Sequence, residues 1–267
     1  MGMVFISEFA CDRLKEDLRK AGHEVFEVMP GEAVYDAIST HPDIYMCSTK
    51  NALVIDDSIN TRPGIREIYD REMSEKLDGN SGNLLIPAIS SDGNKAIVFQ
   101  MGNIGPEYPL DVPYNAVCTE RYFIHNLEHT SPLLLERARA EGLELINVKQ
   151  GYTKCSCIVV GGAIVTADRG IFRTISAYND MLNEEGEEEG GIDILLVEPG
   201  HVKLQGFESG FIGGTCGQVG DKVYFNGDLS SHPDFRSIVE FIWKHGAEPI
   251  WYGGELLEDI GSVIYID

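Results

Sequence analysis

The chain has 267 residues, of which 43% are hydrophobic, and its formal net charge at pH 7 is −22. A chain of this length can bury a large core, and we expect a single domain spanning residues 1–267. The negative charge argues against nucleic-acid binding, which needs a basic surface, and against a polybasic contact with a membrane. It also biases an open cavity towards small cationic ligands.

The first residues predict a strand followed by a charged helix rather than a signal peptide. No apolar run approaches the length of a membrane span. Six cysteines in a chain this long do not make a disulfide scaffold, so we interpret them as reduced thiols. These features together predict a cytoplasmic protein.

Hairpins recur along the chain, and four of them share one design. A strand with small residues or a cysteine is followed by a tight turn and an apolar strand that ends on a polar residue. The first strands are predicted at residues 44–48, 113–118, 153–160 and 211–216. Their partners are predicted at residues 52–55, 121–124, 163–166 and 222–225.

A start signal for a helix follows each hairpin. Ser131-Pro132 and Thr61-Arg62-Pro63 are two such signals, another stands at residues 231–234, and Asp168 would cap the remaining helix. We predict helices at residues 9–21, 133–141 and 238–245. A glycine ends each of these helices before the strands at residues 25–28, 143–148 and 249–252.

These repeats predict the architecture. Four ββαβ units lie whole in the sequence, and a fifth would be split, with a strand at residues 261–266 joining the strand at residues 4–7. We therefore expect an α/β fold in which five ββαβ units form a pseudo-fivefold propeller. Pairing of the N- and C-terminal strands would close this ring and hide the edges that an open sheet exposes. An ordinary open α/β sheet with hairpin insertions is the alternative.

In such a ring, the first strand of each hairpin would point its end at a common axis. Polar residues at these ends would then face one another across a cavity, which is the usual setting for a ligand site. Asp43, Asn115, Tyr152 and Lys154 are the candidates for holding a substrate there.

A glycine-rich stretch from residue 198 to residue 217 has the parts for thiol chemistry. Cys216 would be the nucleophile, His201 its base or acid, and Glu208 or Glu198 the carboxylate that orients the histidine. The alternative is that Cys216 is a small buried side chain and that His201 only satisfies a loop carbonyl.

We expect no metal and no cofactor. In Cys155-Ser156-Cys157 both thiols would lie on one face of a strand, and no second ligand pair follows at zinc spacing. His41-Pro42-Asp43 has the residue types of a metal motif, but we interpret it as placing Asp43 at the mouth of the cavity. No stretch has a convincing phosphate-binding signature.

Several short sequence motifs resemble those of an uncharacterised bacterial family assigned to the guanidino-modifying-enzyme, or pentein, fold. These motifs are His41-Pro42-Asp43-Ile44, Gly151-Tyr152-Thr153-Lys154-Cys155-Ser156, Gly200-His201-Val202 and Gly210-Phe211-Ile212-Gly213-Gly214. The better-known penteins include arginine deiminases, dimethylarginine hydrolases and amidinotransferases. These enzymes attack a guanidinium carbon with a cysteine of the last unit, form a thiouronium adduct and hold the cation with carboxylates.

The resemblance implies that Cys216 stands in the place of the nucleophile and that Asp43 is a guanidinium-binding acid. The resemblance fails at the start of the strand predicted at residues 153–160, where Tyr152 or Thr153 replaces the histidine of those enzymes. His201 would have to act from the neighbouring loop instead. Other penteins are not catalytic, so the fold alone does not assign an activity.

We therefore predict a cysteine-dependent hydrolase or transferase that acts on a C–N bond of a small cationic guanidine or amidine. The alternative is a non-catalytic ring that binds a ligand or a protein partner. An axis filled by packed side chains, with His201 out of reach of Cys216, would favour this alternative.

Overall fold

A computed structural model describes residues 2–65, 95–186 and 190–267 of the chain. These residues form a mixed α/β structure. Its strands are β1 (Met3–Ser7), β2 (Glu24–Val28), β3 (Met46–Ser48), β4 (Ala52–Asp56), β5 (Thr61–Arg62), β6 (Ala96–Gln100), β7 (Val117–Cys118), β8 (Tyr122–His125), β9 (Glu144–Asn147), β10 (Cys157–Val160), β11 (Ala163–Thr166), β12 (Ile194–Leu196), β13 (Cys216–Val219), β14 (Lys222–Phe225), β15 (Glu248–Ile250) and β16 (Ile264–Ile266).

The α-helices within the described ranges vary from one turn to almost five. They are α1 (Asp12–Lys20), α2 (Pro42–Tyr45), α3 (Pro132–Ala140), α4 (Thr153–Ser156), α5 (Arg169–Glu185) and α6 (Phe235–Lys244). None of these helices is both long enough and apolar enough to cross a membrane.

The described strands form five small mixed sheets, and each contains the same three-strand pattern. An antiparallel pair is followed, after a connection, by a third strand parallel to the second. For example, β10 pairs antiparallel with β11, and β12 then pairs parallel with β11 after α5. The sheet of β13, β14 and β15 repeats this order around α6. The recurring hairpin, helix and strand predicted from the sequence are confirmed in these units.

The predicted pairing of the first and last strands is also confirmed. β1 pairs antiparallel with β16, with Met3 opposite Ile266, and parallel with β2 on its other side. The C-terminal strand therefore supplies the first strand of the sheet to which the N-terminal strand belongs.

Local signals set the helix ends. The hydroxyl of Ser131 accepts a hydrogen bond from the N–H of Leu134 at the start of α3, and Asp168 accepts from two N–H groups at the start of α5. Gly142, just after α3, has φ 71°, a left-handed conformation that glycine adopts without steric cost.

The first strands of four hairpins begin later than we predicted. A helical turn precedes each of three: α2 before β3, α4 before β10, and the 3₁₀ turn Gly213–Thr215 before β13. The segment predicted as a strand at residues 113–118 contributes only the two-residue strand β7. Residues such as Ile44 and Ile212 made these turns look strand-like, although their apolar side chains serve burial rather than strand pairing.

The helix predicted after Pro63 lies outside the described residues. Just before it, Thr61 and Arg62 form β5, which pairs with β2 and extends its sheet.

The first strands of neighbouring sheets lie beside one another. β13 contacts β10 and β16, and β3 contacts β16 and β7. At the ends of these strands is a cavity of about 430 Å³ that is lined by residues from β3, β7, β10, β13 and β16. Every sheet thus contributes its first strand to one cavity wall.

All six cysteines are free thiols, as the sequence predicted. Four of them, Cys47, Cys155, Cys157 and Cys216, are buried.

Candidate functional site

The turns that lead into the first strands meet, and the side chains they carry form a buried polar cluster. We define this cluster as His41, Asp43, Asn115, Cys155, Asp259 and Ser262. Each of these residues is at most 3% exposed. Buried polar groups need partners, so the cluster's hydrogen bonds and its unpartnered atoms carry the chemical information.

Asn115 fixes the turn α4 against its neighbours. Its Oδ1 accepts hydrogen bonds from the backbone N–H groups of Lys154, at 2.8 Å, and Cys155, at 3.1 Å. Its Nδ2 lies 3.2 Å from the Cys155 sulfur and 3.3 Å from the carbonyl oxygen of Asp43. One side chain thus ties together the turns that precede β3, β7 and β10.

The Asp43 carboxylate is at the centre of the cluster. Its Oδ2 accepts hydrogen bonds from the thiol of Cys155, at 3.0 Å, and the hydroxyl of Ser262, at 2.8 Å. Its Oδ1 accepts none from the described residues. Burial raises the pKa of Asp43, and neighbouring His41 opposes this rise. The pKa of Cys155 is likewise raised well above its ordinary value, mainly by burial and then by the charge of Asp43.

Ser262 links this carboxylate to a cation. The Lys154 ammonium donates to the Ser262 hydroxyl oxygen at 3.1 Å. Ser262 has φ 69°, and it is the one non-glycine residue with positive φ among the described residues. This sparsely populated conformation costs of the order of 1 kcal/mol, and the hydrogen bonds around Ser262 hold it in place.

His41 and Asp259 form the other side of the cluster. His41 Nδ1 lies 3.8 Å from Asp259 Oδ1 and has no hydrogen-bond partner among the described residues. Burial lowers the pKa of His41 to about 4 and raises that of Asp259 to about 6. A Cβ at Gly261 would lie 2.1 Å from the His41 Cβ, so only glycine permits this close approach.

Beside this cluster, Tyr152 joins a second buried carboxylate, that of Asp111, to a group of aromatic side chains. We define the aromatic site as Tyr35, Tyr108, Tyr152, Phe211 and Asp111. Tyr152 stacks on Phe211 with ring centroids 5.9 Å apart, its centroid is 6.1 Å from that of Tyr108, and its hydroxyl is 3.3 Å from that of Tyr35. The Tyr152 hydroxyl also donates to Asp111 Oδ2.

The predicted binding residues are brought together. Asn115 contacts Asp43 and the backbone of Lys154, and Tyr152 comes directly before α4, which carries Lys154. Tyr152 faces the aromatic site, whereas Asp43 and Asn115 belong to the buried polar cluster. That these residues bind substrate stays a prediction.

The three predicted catalytic residues are not brought together. Cys216 begins β13 and is 1% exposed among apolar side chains, and burial raises its pKa to about 12. His201 is exposed and packs against His232, with ring centroids 5.3 Å apart, while Glu208 is also exposed. Within the described part of the chain, no hydrogen bond joins Cys216 to His201 or Glu208. The proposed alternative role of Cys216 as a small buried side chain agrees with this placement.

A model of a protein family of unknown function, DUF6873, matches residues 85–264. The chain belongs to DUF6873. The DUF6873 match includes Asp111, Asn115, Tyr152, Cys155 and Ser262, whereas residues 41–43 precede it. No curated protein matches the chain. Membership of DUF6873 therefore assigns a family and no activity, and the arguments for function rest on the two sites.

Sequence reasoning missed Asp111, Asp259 and Ser262 as site residues, and it treated Cys155 and His41 as unlikely ligands. Cys155 was expected on a strand, but it lies in α4, so its sulfur and that of Cys157 are not on one strand face. The phrase from Asp259 to Ser262 carried one signal, since a glycine between polar residues near a strand start is typical of a tight approach.

Proposed function

We propose that the protein is a five-unit ring that binds a small cationic molecule at the aromatic site. The ring is supported by the three-strand pattern repeated in five sheets and by the pairing of β1 with β16. It is further supported by the cavity to which every sheet contributes its first strand. The pentein-like arrangement predicted from the sequence is therefore the architecture we propose.

The main support for the proposed function is that the Asp111 carboxylate is buried with one of its oxygens unpartnered among the described residues. This residue is fully buried, and its Oδ2 is held by the Tyr152 hydroxyl. Its Oδ1 accepts no hydrogen bond from any described residue. Burial raises the pKa of Asp111, which means that the ionised carboxylate is poorly compensated by its surroundings. A bound cation would supply the missing charge and the missing donor.

The aromatic rings of this site suit the same ligand. The faces of aromatic rings carry negative potential and attract cations within about 6 Å of the ring centre. Tyr108 is 51% exposed, so a molecule from solvent can reach this side of the site. Phe207, which is 52% exposed, extends the aromatic surface outwards through its contact with Tyr35.

A planar guanidinium or amidinium group fits this combination best. Such a group stacks on an aromatic face and at the same time donates N–H groups to a carboxylate. The net charge of −22 would favour the approach of a cation. The ligand class is the one that the resemblance to guanidino-modifying enzymes implies.

We propose binding rather than catalysis as the function of this site. Burial raises the pKa of Cys216 to about 12, and His201 lies exposed beside His232 instead. A thiol that stays protonated and buried is a poor nucleophile. Cysteine-dependent hydrolysis of a C–N bond stays a prediction, and it is an outcome that the following experiment would detect.

Isothermal titration calorimetry with methylguanidinium, and with urea as the neutral planar control, tests the proposal. We expect the cation to bind and urea not to bind. Asp111→Asn should weaken the cation's affinity by about tenfold or more, because it removes one charge-assisted hydrogen bond. Glu128→Gln removes one charge from an exposed position and serves as the matched control.

Tyr152→Phe provides a second variant in case Asp111→Asn alters the fold. It should weaken binding because the Asp111 carboxylate then loses the Tyr152 hydroxyl that orients it in the described structure. Equal affinity of wild type and both variants, or no binding of the cation, would refute the proposal. Consumption of methylguanidinium during the titration, read by mass spectrometry, would support the predicted hydrolase instead.

A further inference from the structure

Three metal-ligating side chains of different types come together in the buried polar cluster. His41 and Asp43 flank Pro42 at the start of α2, and Cys155 lies in α4. One ligand atom of each residue lies within 4.8 Å of the ligand atoms of the other two. Donors on one tetrahedral zinc ion, at about 2.0–2.3 Å from the metal, lie about 3.3–3.8 Å apart. Side-chain adjustments of about 1 Å would therefore bring the three onto one ion.

Two of these residues hold unpartnered buried atoms, which is an independent sign of a ligand. His41 is 3% exposed and Asp43 is fully buried. His41 Nδ1 and Asp43 Oδ1 make no hydrogen bond to any described residue. Leaving a buried polar atom unsatisfied destabilises the folded chain, because the atom has lost its hydrogen bonds to water. A single cation between them would satisfy both atoms.

The protonation states are compatible with metal binding. Burial lowers the pKa of His41 to about 4, so at neutral pH its imidazole is uncharged and can donate a lone pair. The Cys155 thiol keeps its proton in the absence of a cation, because burial and Asp43 raise its pKa. A metal would replace the S–H bond by an S–metal bond and release the proton to solvent, with no change in oxidation state.

We propose that His41, Asp43 and Cys155 bind a divalent transition metal ion of the zinc type. Imidazole nitrogen, carboxylate oxygen and thiolate sulfur are the three donor types that zinc takes in proteins. Asp259 is a further carboxylate close to these ligands, with Oδ1 3.8 Å from His41 Nδ1.

The charges of the neighbourhood are consistent with this site. A divalent ion would face the carboxylates of Asp43 and Asp259 and the thiolate of Cys155. The ammonium of Lys154, held by Ser262 at 3.1 Å, would balance the remaining negative charge. The cluster and the ion together would then be neutral, which is the condition under which buried charges are tolerated.

The surrounding hydrogen bonds would orient the ligands. Asn115 Nδ2 contacts the Cys155 sulfur. The Ser262 hydroxyl donates to Asp43 Oδ2, which also accepts from the Cys155 thiol. Asp43 Oδ1 is thereby left for the metal. Such outer partners fix the direction of a metal ligand and raise metal affinity. The metal site uses none of the residues of the aromatic site, so it goes beyond the proposed binding of a small cation.

Cobalt(II) titration of the metal-depleted full chain tests the site. Cobalt(II) bound to a thiolate gives a charge-transfer band in the near ultraviolet. We expect wild type to show this band and to saturate at one equivalent, with zinc displacing the cobalt. Cys155→Ser should lose the band, and its zinc affinity should fall by about 100-fold or more.

Cys157→Ser is the matched control, because Cys157 is an equally buried thiol two residues away on β10. It should keep the band and the stoichiometry. Absence of the band in wild type, or its persistence in Cys155→Ser, would overturn the proposal. If Cys155→Ser does not fold, His41→Gln takes its place, and an unchanged zinc affinity in that variant would overturn the proposal equally.

The melting temperature of wild type is a second readout. We expect zinc to raise this temperature, because an ion that binds only the folded chain stabilises it. Asp111→Asn, which impairs the aromatic site, should leave metal binding intact, so the failure of either proposal can be told from failure of the other.

Discussion

The thiol of Cys155 and the carboxylate of Asp43 are separated by 112 residues in sequence and by 3.0 Å in the structure. Each belongs to the helical turn before the first strand of a sheet, α4 for Cys155 and α2 for Asp43. Because these two turns meet, the thiol that lies beside a carboxylate is that of Cys155 and not that of Cys216. Their meeting also moves the chemically interesting cysteine to a unit other than the one the sequence indicated.

The burial of the cysteines predicts the order in which their thiols are modified. Cys216 should resist iodoacetamide at neutral pH, because it is 1% exposed and burial raises its pKa to about 12. Half-buried Cys11 should react before it. Peptide mass spectrometry over a labelling time course measures both rates.

The variant His201→Ala is the control for this prediction. It should leave the labelling rate of Cys216 unchanged, since no hydrogen bond joins the two residues in the described structure. Selective labelling of Cys216 that is lost in His201→Ala would show an activated pair and would restore the hydrolase interpretation.

Asn115 should contribute strongly to stability. Asn115→Ala removes the contacts with two N–H groups, a carbonyl and a sulfur, of which all but the part-buried contact with the Lys154 N–H are buried. We expect a loss of about 3 kcal/mol in the free energy of unfolding, because the two backbone N–H groups would be left inside the protein without a hydrogen-bond acceptor. Urea denaturation measures it. Asn60→Ala, at an exposed asparagine with one hydrogen bond to Pro30, should cost less than about 1 kcal/mol. Equal losses in the two variants would contradict the role of Asn115 as a clamp.

Gly213 should tolerate no side chain. A Cβ there would lie 2.3 Å from the backbone oxygen of Cys157, which a rotamer change cannot relieve. Gly213→Ala should therefore lower the free energy of unfolding by about 3 kcal/mol or more. Gly253→Ala is the control, because its nearest new contact would be an ordinary 3.9 Å to Asp228. A Gly213→Ala protein with the melting temperature of the control would show that the turn before β13 is placed differently.

His125 should make folding stability depend on pH. Its Nε2 lies 2.8 Å from the carbonyl oxygen of Gly151, which can only accept, so we infer that Nε2 carries the proton of the neutral ring; Nδ1 lies 2.8 Å from the Thr130 hydroxyl oxygen. Burial lowers the pKa of His125 from 6.5 to about 4. Between these two pH values the unfolded chain binds a proton that the folded chain does not. The stabilisation from keeping His125 neutral is therefore complete above pH 6.5 and is lost as the pH falls towards 4.

Between pH 6.5 and pH 4, His125 should lower the free energy of unfolding by about 3 kcal/mol. Urea unfolding of wild type and His125→Gln between pH 7 and pH 4.5 measures it, at roughly half-unit steps. The wild type should lose more stability than the variant on acidification, and comparing the two isolates His125 from other titrating groups. Parallel pH profiles for the two proteins would contradict the prediction.

The sequence predicted the elements whose signals are local. The strands at residues 163–166 and 222–225 have the bounds we expected, because a tight turn followed by a short apolar run defines a hairpin within a few residues. The caps Ser131 and Asp168 are confirmed for the same reason, since a cap acts on the next two or three residues.

The candidate site could be predicted only in part. Asp43 and Asn115 were found because each lies at or next to the start of a predicted first strand, and the repeats made that position recognisable. The contacts of Asp43 with Cys155 and Ser262 join residues 112 and 219 positions apart, and no local pattern records such distances. Asp111 was missed because it lies in a loop without periodicity, and only its burial distinguishes it.

The pairing of β1 with β16 has a consequence for the order of assembly. A nascent chain that has emerged as far as residue 250 already contains β1, α1 and β2, but their sheet still lacks its first strand. The same late segment brings Asp259, Gly261 and Ser262 to His41 and Asp43. The residues of β1 and β2 must therefore wait, with one sheet edge unsatisfied, for residues that are synthesised much later. Contacts this distant in sequence form slowly, so the N-terminal unit would be the last to reach its native structure.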